Sequence, residues 1–502
     1  MLLGEIITRG KEKYPEKIAL FFMGRTWTYT ELEEQTNQIA RGLQQSGIKK
    51  GDRVGLLHLN SPYFIVSYFA IVKLGAVVVP INVMFKAEEI TYLMNDAQAA
   101  AMIAGSNFMP LIKEIKPRLT TVKNIVLVDV DTQIEDADFV SYTKLLTGET
   151  GLPETEPLTE EDVAVFLYTS GTTGHPKGAM LTHYNLVSDA AGTAEATETT
   201  EQDNTLCVLP MFHSFAWTCC VLLQLYTCGR VTILESFVPQ LVISTIIQEQ
   251  TSIIAGVPTM YSVLLQVADV DPADFAHIRL AYSGGASLPV EVLKRVADKY
   301  GINIIEGYGL SECSPVCAIN PYRGLRKPGS IGVALPKVEL KIVDDKGSEV
   351  PRGQAGELII KGPNVMKGYY NLPEATAETL KNGWCHSGDI AYMDEYGYVF
   401  IVDRIKEIIL VGGLNVYPRE IEEVLYSHPK VAEAAVIGVP DELRGEAVKV
   451  VIALKQGETA TVREIIKYCQ EKLANYKLPK FVEFVDALPK TSTGKILKRA
   501  LK

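Results

Sequence analysis

Tyr168-Thr169-Ser170-Gly171-Thr172-Thr173-Gly174-His175-Pro176-Lys177-Gly178 follows directly on a short apolar run, 163–167, that reads as a buried strand. The chemistry then changes abruptly to small hydroxylated residues, glycines and one lysine. Glycines let backbone N–H groups turn toward a ligand, and the hydroxyls and the ammonium add donors suited to phosphate oxygens. The stretch is not a Walker A loop, because Gly178 follows Lys177 where that motif needs a Ser or Thr hydroxyl. On residue types alone, a phosphate cradle and a plain flexible turn stay equally open.

The chain around this loop is too long for one hydrophobic core, and roughly two to four domains are expected from such a length. Its 47% hydrophobic and 22% charged content is that of an ordinary globular protein. A net charge of −11 excludes a general nucleic-acid binder, so any anionic ligand must be held by local donors. The eight cysteines include no Cys-x-x-Cys pair and several lie among apolar neighbours, which reads as reduced core thiols. The N-terminus shows no signal-peptide pattern. The apolar stretches 65–81 and 206–234 are broken by Lys73, Pro210, His213 and Arg230, short of the run of about 20 residues a bilayer needs. A soluble, cytoplasmic protein is expected, with peripheral membrane contact left open.

Strand-like and helix-like segments alternate from residue 30 to 128, and again from 231 to 306, which implies mostly parallel sheets covered by helices. Thr30-Glu31-Leu32-Glu33 reads as a capping box opening the first long helix, with Thr30 as cap and Glu33 reaching back. Small-residue loops follow the later strands at 257–259, 283–286 and 307–312. In an open α/β sheet that edge is where ligands sit. From about 338 the pattern turns β-rich, and 406–502 reads as a compact α+β unit.

Glu312 offers hard oxygen atoms for Mg²⁺, or caps a helix. Tyr308, between glycines, suits a base or the core. Asp389 can accept from ribose hydroxyls, or sit in a turn after Gly388. His213 lies among apolar residues, where a hydrogen-bonded core histidine competes with a ligand contact. Lys495, in Pro489-Lys490-Thr491-Ser492-Thr493-Gly494-Lys495, is either solvated surface or a charge brought to a reacting phosphate.

Taken together, the loop at 168–178, Glu306-Gly307-Tyr308-Gly309-Leu310-Ser311-Glu312, Ser387-Gly388-Asp389, Asp403-Arg404-Ile405-Lys406-Glu407 and Pro489 to Lys495 resemble the adenylate-forming superfamily. That superfamily holds acyl-CoA synthetases, firefly-type luciferases and nonribosomal-peptide adenylation domains. The resemblance spans essentially the whole chain in the family's order, and is strongest to the fatty-acyl-CoA synthetase branch. It implies an α/β fold: a large N-terminal domain of two α/β-layered subdomains plus a small β-barrel-like subdomain, then a small mobile α+β C-terminal domain. The implied domains are 1–405 and 406–502, with the hinge at Lys406.

Carried over position by position, the resemblance implies that Thr169, Ser170, Gly171, Thr172, Thr173, Gly174 and Lys177 cradle the ATP phosphates. Thr169 and Glu312 would hold Mg²⁺; Gly285, Glu306, Gly307 and Tyr308 would border the adenine, with Ser311 near the phosphate. Asp389 and Arg404 would take the ribose, Lys495 would be the adenylation lysine, and the loop at Gly413 would border the CoA path. Lys495, Glu312, Lys177 and His213 are thus the catalytic candidates. The expected reaction joins a carboxylic acid to ATP as an acyl-adenylate, then to CoA. Apolar segments at 211–217, 257–261, 284–286 and 308–316 are expected to line the acyl pocket, with no tryptophan plugging it. A medium- or long-chain fatty acid is expected, with an aryl or hydroxycinnamic acid, or loading of a carrier protein, as alternatives.

Overall fold

The computed structural model describes residues 1–129, 139–146, 148–169, 176–268, 270–491 and 494–501. Among these, the strands form four sheets. The first, eight-stranded, runs in the order Gly368–Tyr369, Lys177–Thr182, Val163–Thr169, Val77–Pro80, Arg53–Leu57, Ala101–Gly105, Asn124–Val128 and Val140–Ser141. It is parallel from Val163–Thr169 onward and antiparallel at the edge where Lys177–Thr182 turns back. The second, nine-stranded, sheet is parallel from Ile304–Gly309 through Leu280–Ser283, Ile253–Gly256, Asn204–Cys207 and Arg230–Ile233 to Ile18–Phe22. Strands such as Val77–Pro80 and Ala101–Gly105 are buried on both faces, as parallel sheets covered by helices must be.

The apolar stretch near residue 65 is the helix Pro62–Lys73, buried nearly all round. Ser61 caps it by accepting from the Phe64 amide at 3.3 Å, and Pro62 takes the first position, where no amide is needed. Its side chains share one continuous core with strands of both large sheets, which is why this segment is as apolar as a membrane helix. Among the described residues no helix is long and apolar enough to cross a membrane.

The cap of the preceding helix, Tyr29–Gln45, differs from the sequence expectation. Two Thr-x-x-Glu frames overlap there, and the structure uses the earlier one. The Thr28 hydroxyl accepts from the Glu31 amide at 3.1 Å, and the Glu31 carboxylate accepts from the Thr28 amide at 2.8 Å. Glu33 instead points inward and pairs with buried Lys73 at 2.5 Å, because the apolar face that seats this helix carries position 33 with it.

From residue 339 the β-rich region is a five-stranded antiparallel sheet built on Trp384–Met393. The C-terminal part packs Pro418–Tyr426 and Val462–Gln470 on a fourth sheet and has its own core, including Ile421, Leu425, Val436, Val450 and Ile465. All eight cysteines are buried and free.

Candidate active site

The loop that opens the sequence argument joins two antiparallel strands, so Thr169 and Lys177 stand opposite each other at its ends. Ser170, Gly171, Thr172, Thr173 and Gly174 lie outside the described residues. At the first end, the Thr169 hydroxyl reaches Glu312 Oε1 at 3.4 Å. The same oxygen accepts from the Tyr369 hydroxyl at 2.8 Å, and Lys177 Nζ lies 5.4 Å from the centre of that tyrosine's ring. Hydroxyl and carboxylate oxygens converging from three separate strands and turns make a hard-donor corner beside a cation. That corner fits Mg²⁺ on a nucleotide, which keeps most of its shell as water and phosphate and takes only one or two protein oxygens. No richer cluster of metal-ligating side chains occurs among the described residues.

A second group lies where Ile304–Gly309 meets the β-rich sheet. The Tyr308 hydroxyl donates to Asp389 Oδ2. Asp389 is directly opposite Arg404 across two antiparallel strands, with Arg404 Nε 3.3 Å from its Oδ1. Ser387 fixes the approach, its hydroxyl accepting from the Asp389 amide at 3.0 Å and donating to Leu358 O at 2.6 Å. Burial raises the Asp389 pKa, against the pull of Arg404 and the Tyr308 hydroxyl. Ser311 reaches Ser214 at 3.5 Å, and Gly307 pairs with Ile319. The Glu306 carboxylate points into the protein, where it accepts from the amides of Leu288 at 3.2 Å and Gly329 at 3.1 Å. Burial lifts its pKa to about 7. It ties the loops that carry Leu288 and Gly329 to the strand Ile304–Gly309.

The C-terminal tail reaches into the same cleft. Thr259 donates to Gly494 O at 2.9 Å, and Lys495 Cε lies 3.1 Å from where a Cβ on Gly285 would stand. Gly285 has φ +78°, a left-handed conformation that also favours glycine. Burial, then the nearby Arg404 guanidinium, lower the Lys495 pKa to about 8 despite Asp389. Burial and Lys495 in turn hold His213 down to about 3, so its imidazole is neutral. Because His213 Nδ1 accepts from the Phe215 amide at 3.2 Å, its proton sits on Nε2. Lys406 and Gly413 are exposed, the latter in a turn with φ +82°, and neither is brought to this group.

Residues 7–370 match the model of the AMP-binding enzyme family, and residues 420–495 match the AMP-binding enzyme C-terminal domain. The chain belongs to the AMP-binding enzyme family. It is 37% identical to a long-chain-fatty-acid–CoA ligase of Bacillus subtilis (strain 168), over 99% of this chain and 94% of that one. It is 36% identical to a feruloyl-CoA synthase of Amycolatopsis sp, over 99% of this chain and 97% of the relative. Among solved structures, the anthranilate CoA ligase AuaEII in complex with anthranoyl-AMP superposes with a TM-score of 0.94 at 32% identity, covering 100% of this chain and 96% of that one. This AMP-binding enzyme is therefore an AMP-forming acid–CoA ligase whose substrates include ATP, used with Mg²⁺, and CoA.

In the AMP-binding enzyme, Met211, Phe212, Trp217, Leu167 and Tyr68 line an apolar cavity beside Ser314, with only about 10 Å³ of free space. A tryptophan thus stands in the wall of this cavity. Trp217 packs on Tyr68 in that wall, with ring centres 3.9 Å apart. Tyr68 and Tyr369 escaped the sequence reading because each belongs to a different element from its partner, 149 and 57 positions away. The Gly368-Tyr369-Tyr370 aromatic pair was the available signal for Tyr369.

Proposed function

We propose that the enzyme activates a medium- or long-chain fatty acid as its acyl-adenylate and then transfers the acyl group to CoA. The acid's carboxylate attacks the α-phosphorus of ATP, and the bond to pyrophosphate breaks. Lys495 neutralises charge shared between the carboxylate and the α-phosphate. Lys177 and the loop from Thr169 hold the phosphates, with Ser311 beside them, and the neutral His213 offers its Nε2 proton near Lys495. Thr169 and Glu312 hold Mg²⁺, which when bound withdraws charge from the phosphate oxygens. Gly285, Gly307, Tyr308 and the backbone of Glu306 border the adenine, while Asp389 and Arg404 take the ribose hydroxyls. Residues 406–502 then turn about Lys406, which withdraws Lys495 and brings the turn at Gly413 to the CoA path. The thiol attacks the acyl carbonyl and AMP leaves.

The observation that carries this reading is the entry of Lys495 beside Gly285, into the cleft that also holds Tyr308, Asp389 and Arg404. The test separates the half-reactions. Lys495→Ala is expected to abolish ATP-dependent pyrophosphate release and to keep thioester formation from supplied acyl-adenylate; equal loss of both would end the assignment. An apolar acyl cavity and the 37% identity to a long-chain-fatty-acid–CoA ligase favour the fatty acid. The 36% identity to a feruloyl-CoA synthase favours a second reading, an aryl or hydroxycinnamic acid. Pyrophosphate release across acids of graded length, with and without rings, decides between them.

A further inference from the structure

We infer that Lys498 is a positioning residue that holds Lys495 in the cleft for the first half-reaction. The inference rests on the reading of Lys495 as the adenylation lysine. The tail that carries Lys495 folds back on itself: the Leu497 amide donates to Pro489 O at 2.7 Å, the Thr491 amide donates to Lys495 O at 2.7 Å, and Lys490 bridges Ile496. Its apolar seat is small. Leu488, Ile496 and Leu501 pack on Ala435, Val451 and Val485, apart from the main C-terminal core. A seat of that size leaves the tail's direction to be set by charge.

Lys498 supplies that charge at the base of the tail, three residues beyond Lys495. Its ammonium lies 2.8 Å from Glu422 and 3.1 Å from Glu407, with the side chain 22% exposed. Glu407 directly follows Lys406, and Glu422 belongs to the helix Pro418–Tyr426. Asp403 adds a third carboxylate close by. That carboxylate is itself fixed, accepting from the Arg404 amide at 2.8 Å and from the Arg419 amide at 3.0 Å. One cation thus gathers the tail, the segment just past the proposed hinge, and the helix that follows. Lys490 makes a second tie, 2.7 Å from Glu433 on the strand Val431–Asp441. Removing the Lys498 cation leaves three carboxylates facing one another without that counter-charge, and the tail loses the ionic tie nearest Lys495, keeping the Thr259–Gly494 hydrogen bond. Misplacing a reacting group by about 1 Å costs on the order of 100-fold in rate.

The experiment compares Lys498→Met, Lys498→Arg and Glu422→Gln in two assays: ATP-dependent pyrophosphate release, and thioester formation from chemically supplied acyl-adenylate. For Lys498→Met, kcat for pyrophosphate release is expected to fall by about 10- to 100-fold, with KM for ATP changed by less than about twofold. Thioester formation is expected to stay within about twofold of wild type, which shows that the variant is folded. Lys498→Arg restores the first step, and Glu422→Gln shows a smaller loss confined to it. Wild-type pyrophosphate release by Lys498→Met, or an equal fall in both half-reactions that Arg does not rescue, would overturn the inference. Lys495→Ala, run alongside, tests the underlying reading separately: if it still releases pyrophosphate, that reading fails whatever Lys498 does.

Discussion

Lys495 passes over Gly285 so closely that a methyl group there would stand 3.1 Å from its Cε and 3.8 Å from its Nζ. The lysine comes from the last strand-like hairpin of the chain, and the glycine from the loop after Leu280–Ser283 in the nine-stranded sheet. Two segments 210 positions apart meet only because the C-terminal part is packed with its tail in the cleft.

On the proposed role of Lys495, that position is expected to make the first half-reaction sensitive to alkali. Burial and Arg404 bring the Lys495 pKa down to about 8, from an ordinary value of 10.5. The shift favours the neutral amine, so the useful charge is present below about pH 8 and lost as pH rises through it. For pyrophosphate release, kcat/KM reports the free enzyme and is expected to decline above about pH 8. The limb in kcat should lie higher, because bound phosphates stabilise the ammonium. Lys495→Arg, whose guanidinium stays charged, should lose that limb from whatever activity remains. A wild-type kcat/KM profile flat to well above pH 9 would contradict the assignment.

Glu312 and Tyr369 should separate in a Mg²⁺ titration. Glu312→Gln removes the charge that a hard cation needs, whereas Tyr369→Phe removes only the 2.8 Å hydrogen bond that orients the carboxylate. Hydrogen bonds to charged groups contribute about 1.5–3 kcal/mol at most. Half-saturation by Mg²⁺ in the pyrophosphate assay is therefore expected to rise steeply in Glu312→Gln and moderately in Tyr369→Phe. High Mg²⁺ should recover the second variant and not the first. Unchanged half-saturation in Glu312→Gln would remove the carboxylate from the metal corner.

Much of this arrangement was legible in the sequence because it is local. Thr169 ends an apolar strand, Tyr308 lies between glycines, and Asp389 follows Ser387-Gly388, so each announces itself within a few residues. The alternation that implied parallel sheets was equally readable, since buried strands such as Val77–Pro80 are continuous apolar runs. What escaped was set by packing. Thr28 and Thr30 offer the same capping frame, and only burial of position 33 against Lys73 selects the first. Glu306 looked like a ligand contact, yet which way a strand residue points depends on register, and its carboxylate braces Leu288 and Gly329. The packing of Trp217 on Tyr68 was the least readable feature, because the two meet across two elements with no shared motif.

That contact gives the sharpest test of the acid. With Trp217 on Tyr68, about 10 Å³ is free, so on the proposed fatty-acid reading a long alkyl chain is expected to part the two rings as it enters. Parting them gives up an aromatic contact worth about 0.5–1.5 kcal/mol beyond its buried area, while each methylene that enters gains about 0.8 kcal/mol. A chain several methylenes long therefore overcomes that contact. Trp217→Leu removes the ring while keeping an apolar wall. For a fatty-acid enzyme, this variant is expected to raise kcat/KM for the longest acids by about fivefold to tenfold, the factor that roughly 1 kcal/mol of relieved contact supplies. Octanoate should change little. If wild type and variant alike use only ring acids, and the variant gains nothing with chain length, the fatty-acid assignment gives way to the aryl one.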